Sequence, residues 1–361
     1  MHSAALTSPG GDGNHPWPHG LVAALNRMLP TRFVLAELTP TELAAAEETV
    51  PQASQLSREV MAQRSDMATA IRGNKARYEL SLRPDLSMQL YTNGLLPIGL
   101  LDAIVTDTFL ANVVEADLPG FEWDPGHLAQ SLANEHELVL SASRIYVPSN
   151  DLAADASERF GLGDAVVAVG VGPVIEPSKE SSAAAGRRIL FIGNDAERKG
   201  LDLVLGAFAL VRQQYEDAEL NLVGREAAGV GEGVRCLGHI DSRTPAGRSR
   251  MSSILGSANL LVLPTRFDPV GFACLDAMAH GVAIVGPRSG MLAQFVVDGV
   301  TGYHCELSVE SVAAAIVKCL SDTERCSWMG RRARDRQQAL FTWDAAASRL
   351  YEDWTNSSRP K

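Results

Sequence analysis

The chain has 361 residues, 46% hydrophobic and 21% charged, which is more than one compact core usually holds, so two globular domains are expected. The net charge of −11 is unevenly spread: residues 1–168 carry 10 Lys and Arg against 21 Asp and Glu, while residues 169–361 carry 22 against 22. An acidic first half argues against nucleic acid and anionic lipid as partners, and no apolar run approaches the ~20 residues of a membrane-spanning helix.

The start, Met1 to Thr7, lacks a basic segment followed by a signal-type apolar stretch, which fits a cytoplasmic protein. Gly10-Gly11-Asp12-Gly13 follows, with His15, Trp17 and His19, and leaves room for only a short first strand. Strands are predicted over Phe33–Leu38, Ser87–Thr92, Ala103–Thr106, Ser143–Pro148 and Val166–Val169, with helices over Leu21–Met28, His127–Leu140 and Asp151–Phe160. Residues 170–187, with Pro173, Pro177 and a Ser-Ala run, have linker composition and divide residues 1–169 from residues 188–340.

Beyond the linker, short apolar runs alternate with amphipathic stretches, the pattern of a mainly parallel α/β sheet that binds ligands beyond the carboxyl ends of its strands. Its predicted strands are Arg188–Gly193, Leu220–Gly224, Val234–Leu237, Asn259–Pro264 and Val282–Val285; its helices are Leu201–Val211, Ser249–Gly256 and Phe272–His280. Residues 341–361, with Phe341, Trp343, Leu350, Tyr351 and Trp354, read as a terminal helix too apolar to be a free tail. The five cysteines all lie in the second half without a Cys-x-x-Cys pair and read as packing residues.

Two segments carry chemistry. Leu263 to Gly281 follows a strand and opens a helix; Asp268 and Asp276 stand in it with seven residues between them. Pro269 and Gly271 are expected to free the amides of Val270, Gly271, Phe272 and Ala273 at the helix N-terminus, where partial positive charge suits a sugar or pyrophosphate. Asp276, two turns in, suits ribose hydroxyls. The second segment, Ile192-Gly193-Asn194-Asp195-Ala196-Glu197-Arg198-Lys199-Gly200, ends a strand and places Lys199 at the head of a helix. An ammonium on a flexible stem suits a phosphate that gains charge as a bond to it breaks.

Taken together these segments resemble the family 4 glycosyltransferases of the GT-B fold. That resemblance implies two facing Rossmann-like domains with mainly parallel sheets and a C-terminal helix crossing back to the first domain. It implies retention of anomeric configuration, donor diphosphate on Arg198, Lys199, Val270, Gly271 and Phe272, ribose on Asp276, and sugar positioning by Asp268. Gly224, Arg225 and Ile240, at strand-end turns, match the nucleobase side. The segment around Asp107 resembles, with an offset of one residue, an Asp-x-Thr-Phe element of one branch of the family, which implies a role at the sugar or acceptor, and Gly10, Gly11, His15 and His19 resemble the glycine-rich first loop. Here Asp replaces the more common Glu at both acidic positions, and Asn194 stands where Arg is frequent, so Arg198 either substitutes on the phosphate or faces solvent.

No Asp-x-Asp occurs, so transfer without a metal ion is expected, with no cofactor. Val169-Gly170-Val171-Gly172-Pro173 and Gly229-x-Gly231-x-Gly233 lack the dinucleotide fingerprint, which sets aside a nicotinamide or flavin enzyme. The partners expected are a nucleoside-diphosphate sugar, UDP before GDP, and a small soluble acceptor, neutral or amine-bearing. The alternatives are a catalytically silent sugar-nucleotide-binding protein and a transferase with a lipid or polysaccharide acceptor.

Overall fold

The computed structural model describes residues 5–7, 16–28, 34–35, 90–91, 103–106, 108–117, 124–177, 186–224, 231–242 and 244–357. The chain forms two compact units, residues 1–171 with 343–361, and residues 172–342.

In the first unit, β1 (Ala5–Thr7) follows the short start, α1 spans Pro16–Met28, and β2 (Val34–Leu35) and β3 (Leu90–Tyr91) flank β1 in a parallel sheet ordered β2-β1-β3. A second parallel sheet, ordered β4-β5-β6, holds β4 (Ala103–Val105), β5 (Arg144–Val147) and β6 (Val166–Ala168). Helices α2 (Leu110–Glu115), α3 (Pro125–Ser141) and α4 (Asn150–Phe160) connect them. Ile104, Ile145, Val147, Leu138, Val139 and Phe109 pack into one core, because alternate strand positions and one stripe of α3 are apolar. The Ser149 hydroxyl accepts the Leu152 amide at 3.1 Å and so fixes where α4 begins.

The second unit is built on one six-stranded, all-parallel sheet. In chain order it comprises β7 (Arg188–Gly193), α5 (Leu201–Gln214), β8 (Glu219–Gly224), β9 (Val234–Cys236), α6 (Pro245–Ser257), β10 (Leu260–Val262) and α7 (Phe272–Ala279). It continues through β11 (Ala283–Pro287), α8 (Gly290–Phe295), β12 (Gly302–Cys305), α9 (Val309–Leu320) and α10 (Thr323–Leu340). Thr244, Ser308 and Asp322 accept the amides of Gly247, Ser311 and Arg325 and thereby start α6, α9 and α10. The central strands are buried on both faces, as expected of a parallel sheet covered by helices.

The strand order is β12-β11-β10-β7-β8-β9. Connections run one way from β7 and the other way from β10, so the crevice at the carboxyl ends of these two neighbours is the switch point at which doubly wound sheets take ligands. The loops leaving these two strands contain Asn194–Gly200 and Leu263–Gly271.

Residues 172–177, read from composition as connector, group with the second unit, and Ile175 is 2% exposed. The last helix, α11 (Trp343–Ser357), returns to the first unit and buries Ala346, Ala347, Leu350 and Trp354. There Tyr146 donates to Asp353 at 3.0 Å, and Arg144 pairs with the same carboxylate at 3.2 Å. Among the described residues no helix is long and apolar enough to cross a membrane.

Candidate active site

Gly200 is in the left-handed region at φ 77°, and a Cβ there would lie 2.2 Å from the Pro264 carbonyl oxygen. Only glycine lets the loop after β7 touch the loop after β10 so closely. The contact is then locked by hydrogen bonds. The Arg198 carbonyl accepts the Arg266 amide at 2.9 Å and the Thr265 hydroxyl at 3.1 Å, and the Arg198 guanidinium donates to the Phe267 carbonyl at 2.7 Å.

That clamp sets Lys199 against Asp268. The ammonium donates a hydrogen bond to Asp268 Oδ2, and the side chains are only 13% and 9% exposed. Burial pushes the Asp268 carboxyl up, but the Lys199 charge and hydrogen bond, joined by the Gly271 amide, outweigh it and hold the carboxyl below the ordinary range. An ammonium has three N–H donors, so its bond to Asp268 leaves capacity for a phosphate oxygen.

Asp268 Oδ1 also accepts the Gly271 amide at 2.9 Å and lies 3.4 Å from the Val270 amide. This corrects the expectation that Val270 and Gly271 present open amides: the carboxylate folds onto the loop just ahead of α7 and takes up these two donors. Gly271 permits the turn, at φ 72° and with its α-carbon packed against Leu292 and Phe295. Phe272 is the first residue of α7.

Arg198 is partly buried and does not face solvent freely. Its Nε pairs with Asp195 at 2.9 Å and its remaining contact is the Phe267 carbonyl, so it braces the two loops together. Asn194 reaches the His239 ring at 3.0 Å, and the Gly224 amide bonds the Gly238 carbonyl at 3.1 Å. These contacts bring the ends of β7, β8 and β9 together beside buried Ile240.

One turn along α7, Asp276 is 7% exposed, and its Oδ1 accepts the amides of Val174 and Ile175 at 2.7 and 2.9 Å. Among the described residues no hydrogen bond reaches Oδ2. Burial raises this carboxyl to about 7 against the two amides, which lower it. One turn further, the His280 ring approaches the Asp276 carbonyl at 2.6 Å through Nδ1, which must be the donor since a carbonyl only accepts. Its Nε2 lies 3.0 Å from the Ser252 hydroxyl, which is also 3.0 Å from the Glu176 carbonyl, so the one hydroxyl hydrogen is shared between these two acceptors. Burial lowers the His280 pKa. Asp276, His280 and Ser252 thus hold Val174–Glu176 on the second unit. Sequence reading missed His280 and Ser252; the i, i+4 spacing of Asp276 and His280 on one helix face was the available signal.

Asp107, Arg225, Gly10, Gly11 and His15 lie outside the described residues, as does the side chain of His19 on α1.

Residues 186–322 match the family model described as "Glycosyl transferases group 1". These residues resemble a group 1 glycosyl transferase domain. The matched segment contains Lys199, Asp268, Asp276 and the whole β7/β10 crevice. The chain is 26% identical over 244 residues to the glycogen synthase of Mycobacterium tuberculosis, covering 63% of this chain and 57% of that protein. It is 24% identical over 261 residues to the D-inositol 3-phosphate glycosyltransferase of Streptomyces avermitilis, covering 65% and 56%. The matches therefore span less than two thirds of these curated relatives.

Among solved structures, sucrose-phosphate synthase from Thermosynechococcus elongatus superposes with a TM-score of 0.72 at 16% identity, over 99% of this chain and 100% of that one. Anabaena HepE, solved with UDP and glucose, superposes with a TM-score of 0.67 at 11% identity, over 99% and 100%. These likenesses establish the fold, which is the expected α/β GT-B fold with parallel sheets and a helical C-terminus.

Proposed function

We propose that the chain is a glycosyltransferase that moves a sugar from a nucleoside diphosphate, UDP in preference to GDP, to a small acceptor, with retention of configuration and no metal ion. The observation that carries this reading is the buried Lys199–Asp268 pair at the switch point of a domain that resembles group 1. An ammonium held in a low-dielectric crevice stabilises charge on a departing diphosphate far more than it would in water. Asp268 keeps the ammonium in place and offers carboxylate oxygens to sugar hydroxyls, while Asp276 Oδ2 receives the ribose. The reading is supported by a solved structure of this fold holding UDP and glucose and by relatives named as glycosyltransferases.

A thermal-shift screen of UDP-, GDP-, ADP- and TDP-sugars tests the donor. A ligand at a hundred times its Kd stabilises by about 2.7 kcal/mol, so a UDP-sugar should raise the unfolding midpoint measurably. Consumption of that donor should continue in excess EDTA; complete loss restored by Mg²⁺ or Mn²⁺ would overturn the metal-free reading. A silent binding protein is the second reading, favoured by the capture of Asp276 Oδ1 by two backbone amides. Nucleotide binding without any sugar transfer would select it.

The first unit is proposed to supply the acceptor contacts. Residues 1–168 hold the whole charge excess, including Glu115, Asp117, Glu122 and Asp124, which suits a neutral or amine-bearing acceptor over a phosphorylated one. For a cationic acceptor kcat/KM should fall as salt rises. A flat response, or preference for an anionic acceptor, would sink this assignment.

A further inference from the structure

Edge strand β12 and helix α9 border a cavity of about 430 Å³ that lies two strands away from the β7/β10 crevice in the sheet order. Its lining includes Arg288, Asp298, Tyr303, His304, Ser311 and Lys318. Nothing in the donor chemistry uses them.

The cavity is rich in donors whose capacity the fold leaves unspent. His304 Nε2 is buried without a hydrogen-bond partner, while Nδ1 lies 3.3 Å from Asp298 Oδ1, a contact that, against the upward push of burial, helps hold that carboxyl below its ordinary range. Buried polar atoms left in this way cost stability unless something completes them. The Ser311 hydroxyl accepts the Glu306 amide at 2.9 Å, which leaves its own hydrogen to donate. Lys318 Nζ sits 4.1 Å above the Tyr303 ring, and among the described residues no carboxylate pairs with it.

Arg288 is positioned by Asp298 at 3.2 Å and Glu306 at 3.6 Å, with its side chain still 58% exposed. Asp298 is itself occupied: Oδ1 accepts the His304 amide at 2.8 Å while Oδ2 faces Arg288. The carboxylates thus orient the donors and leave N–H groups of Arg288 and Lys318 for a ligand. Guanidinium, ammonium and hydroxyl donors around one space recognise the oxygens of a phosphate group. The space is too large for a bare ion and falls in the small-molecule range of roughly 300–1,000 Å³. The Tyr303 ring adds an apolar wall against which a sugar-sized body can lie.

We propose that this cavity binds a phosphate monoester on a sugar-sized body, at a site separate from the donor crevice. Calorimetric titration of the full chain with glucose 6-phosphate and ribose 5-phosphate, with glucose and inorganic phosphate as controls, tests it. Saturable binding of a sugar phosphate is expected, undiminished by saturating UDP, with glucose inert. Lys318→Ala and Arg288→Ala should each weaken it about tenfold or more, since each removes a charged donor. Both variants should retain the wild-type circular dichroism and UDP response.

Four results would overturn the proposal. They are no saturable binding of either sugar phosphate up to about 10 mM, equal binding by wild type and both variants, inorganic phosphate binding as tightly as the esters, or displacement by UDP. The last would move the ligand to the donor crevice.

Discussion

Replacing Lys199 by alanine is expected to lower turnover of a UDP-sugar at least about a hundredfold, the effect of losing one phosphate contact worth roughly 3 kcal/mol in the transition state. The same substitution also strands Asp268. That carboxylate is 9% exposed, and its depressed pKa depends on the Lys199 charge to overcome burial. Breaking a buried pair by removing one partner costs about 3–5 kcal/mol, so reduced stability accompanies reduced turnover in Lys199→Ala.

The two effects separate in Lys199→Met with Asp268→Asn, where no buried charge is orphaned. Stability should largely recover while turnover stays low. A folded Lys199→Ala protein, verified by circular dichroism, with near-normal turnover would remove Lys199 from the chemistry. The sign of the pH dependence follows from the depressed carboxyl. The stabilisation from Asp268 is full above its unfolded pKa, near 3.9, and is lost as pH falls through the lower folded value.

Lys199 and Asp268 were both legible in the sequence, but not as partners. Each follows an apolar strand and precedes a helix, a local pattern. Their contact joins positions 69 apart and depends on β10 lying beside β7, an adjacency that no local pattern encodes. The strand Arg188–Gly193 was readable to the residue because Ile189-Leu190-Phe191-Ile192 is bounded by a charged residue and a glycine. The predicted strand Asn259–Pro264 shortens to Leu260–Val262; Leu263 still donates to Val285, and Pro264 has no N–H to continue the ladder. The reading of Val270 and Gly271 as open donors failed because an aspartate side chain can accept the backbone amides two and three residues on and close its own turn ahead of the helix. Composition alone also hid the role of Val174–Glu176: a Gly- and Pro-containing stretch reads as connector, yet its amides complete a carboxylate about a hundred positions away.

Asp276→Asn is expected to weaken UDP binding about tenfold or more while leaving the fold intact, the loss typical of a charge-assisted bidentate contact. Asparagine keeps Oδ1 as acceptor for Val174 and Ile175, so the local structure survives. It replaces Oδ2 with an amide that cannot accept ribose hydroxyls. Asp276→Ala should lose affinity and also destabilise, because two buried amides are left unpaired at about 1–3 kcal/mol each.

The raised pKa adds a second signature. With a folded value of about 7 and an ordinary unfolded value near 3.9, the folded chain binds the proton more tightly. The stabilisation is therefore complete below the unfolded value and erodes as pH rises through the folded one, by up to about 1.4 kcal/mol per pH unit. Asp276→Asn, having no proton to lose there, should lack that slope. Nucleotide affinity in the wild type should move the opposite way, rising towards pH 8 as the carboxylate forms and can accept two hydroxyls. Calorimetry at pH 6 and pH 8 on both proteins decides. Equal UDP affinity of wild type and Asp276→Asn at pH 8 would take the ribose away from Asp276 and leave it the single role of holding Val174 and Ile175 against α7.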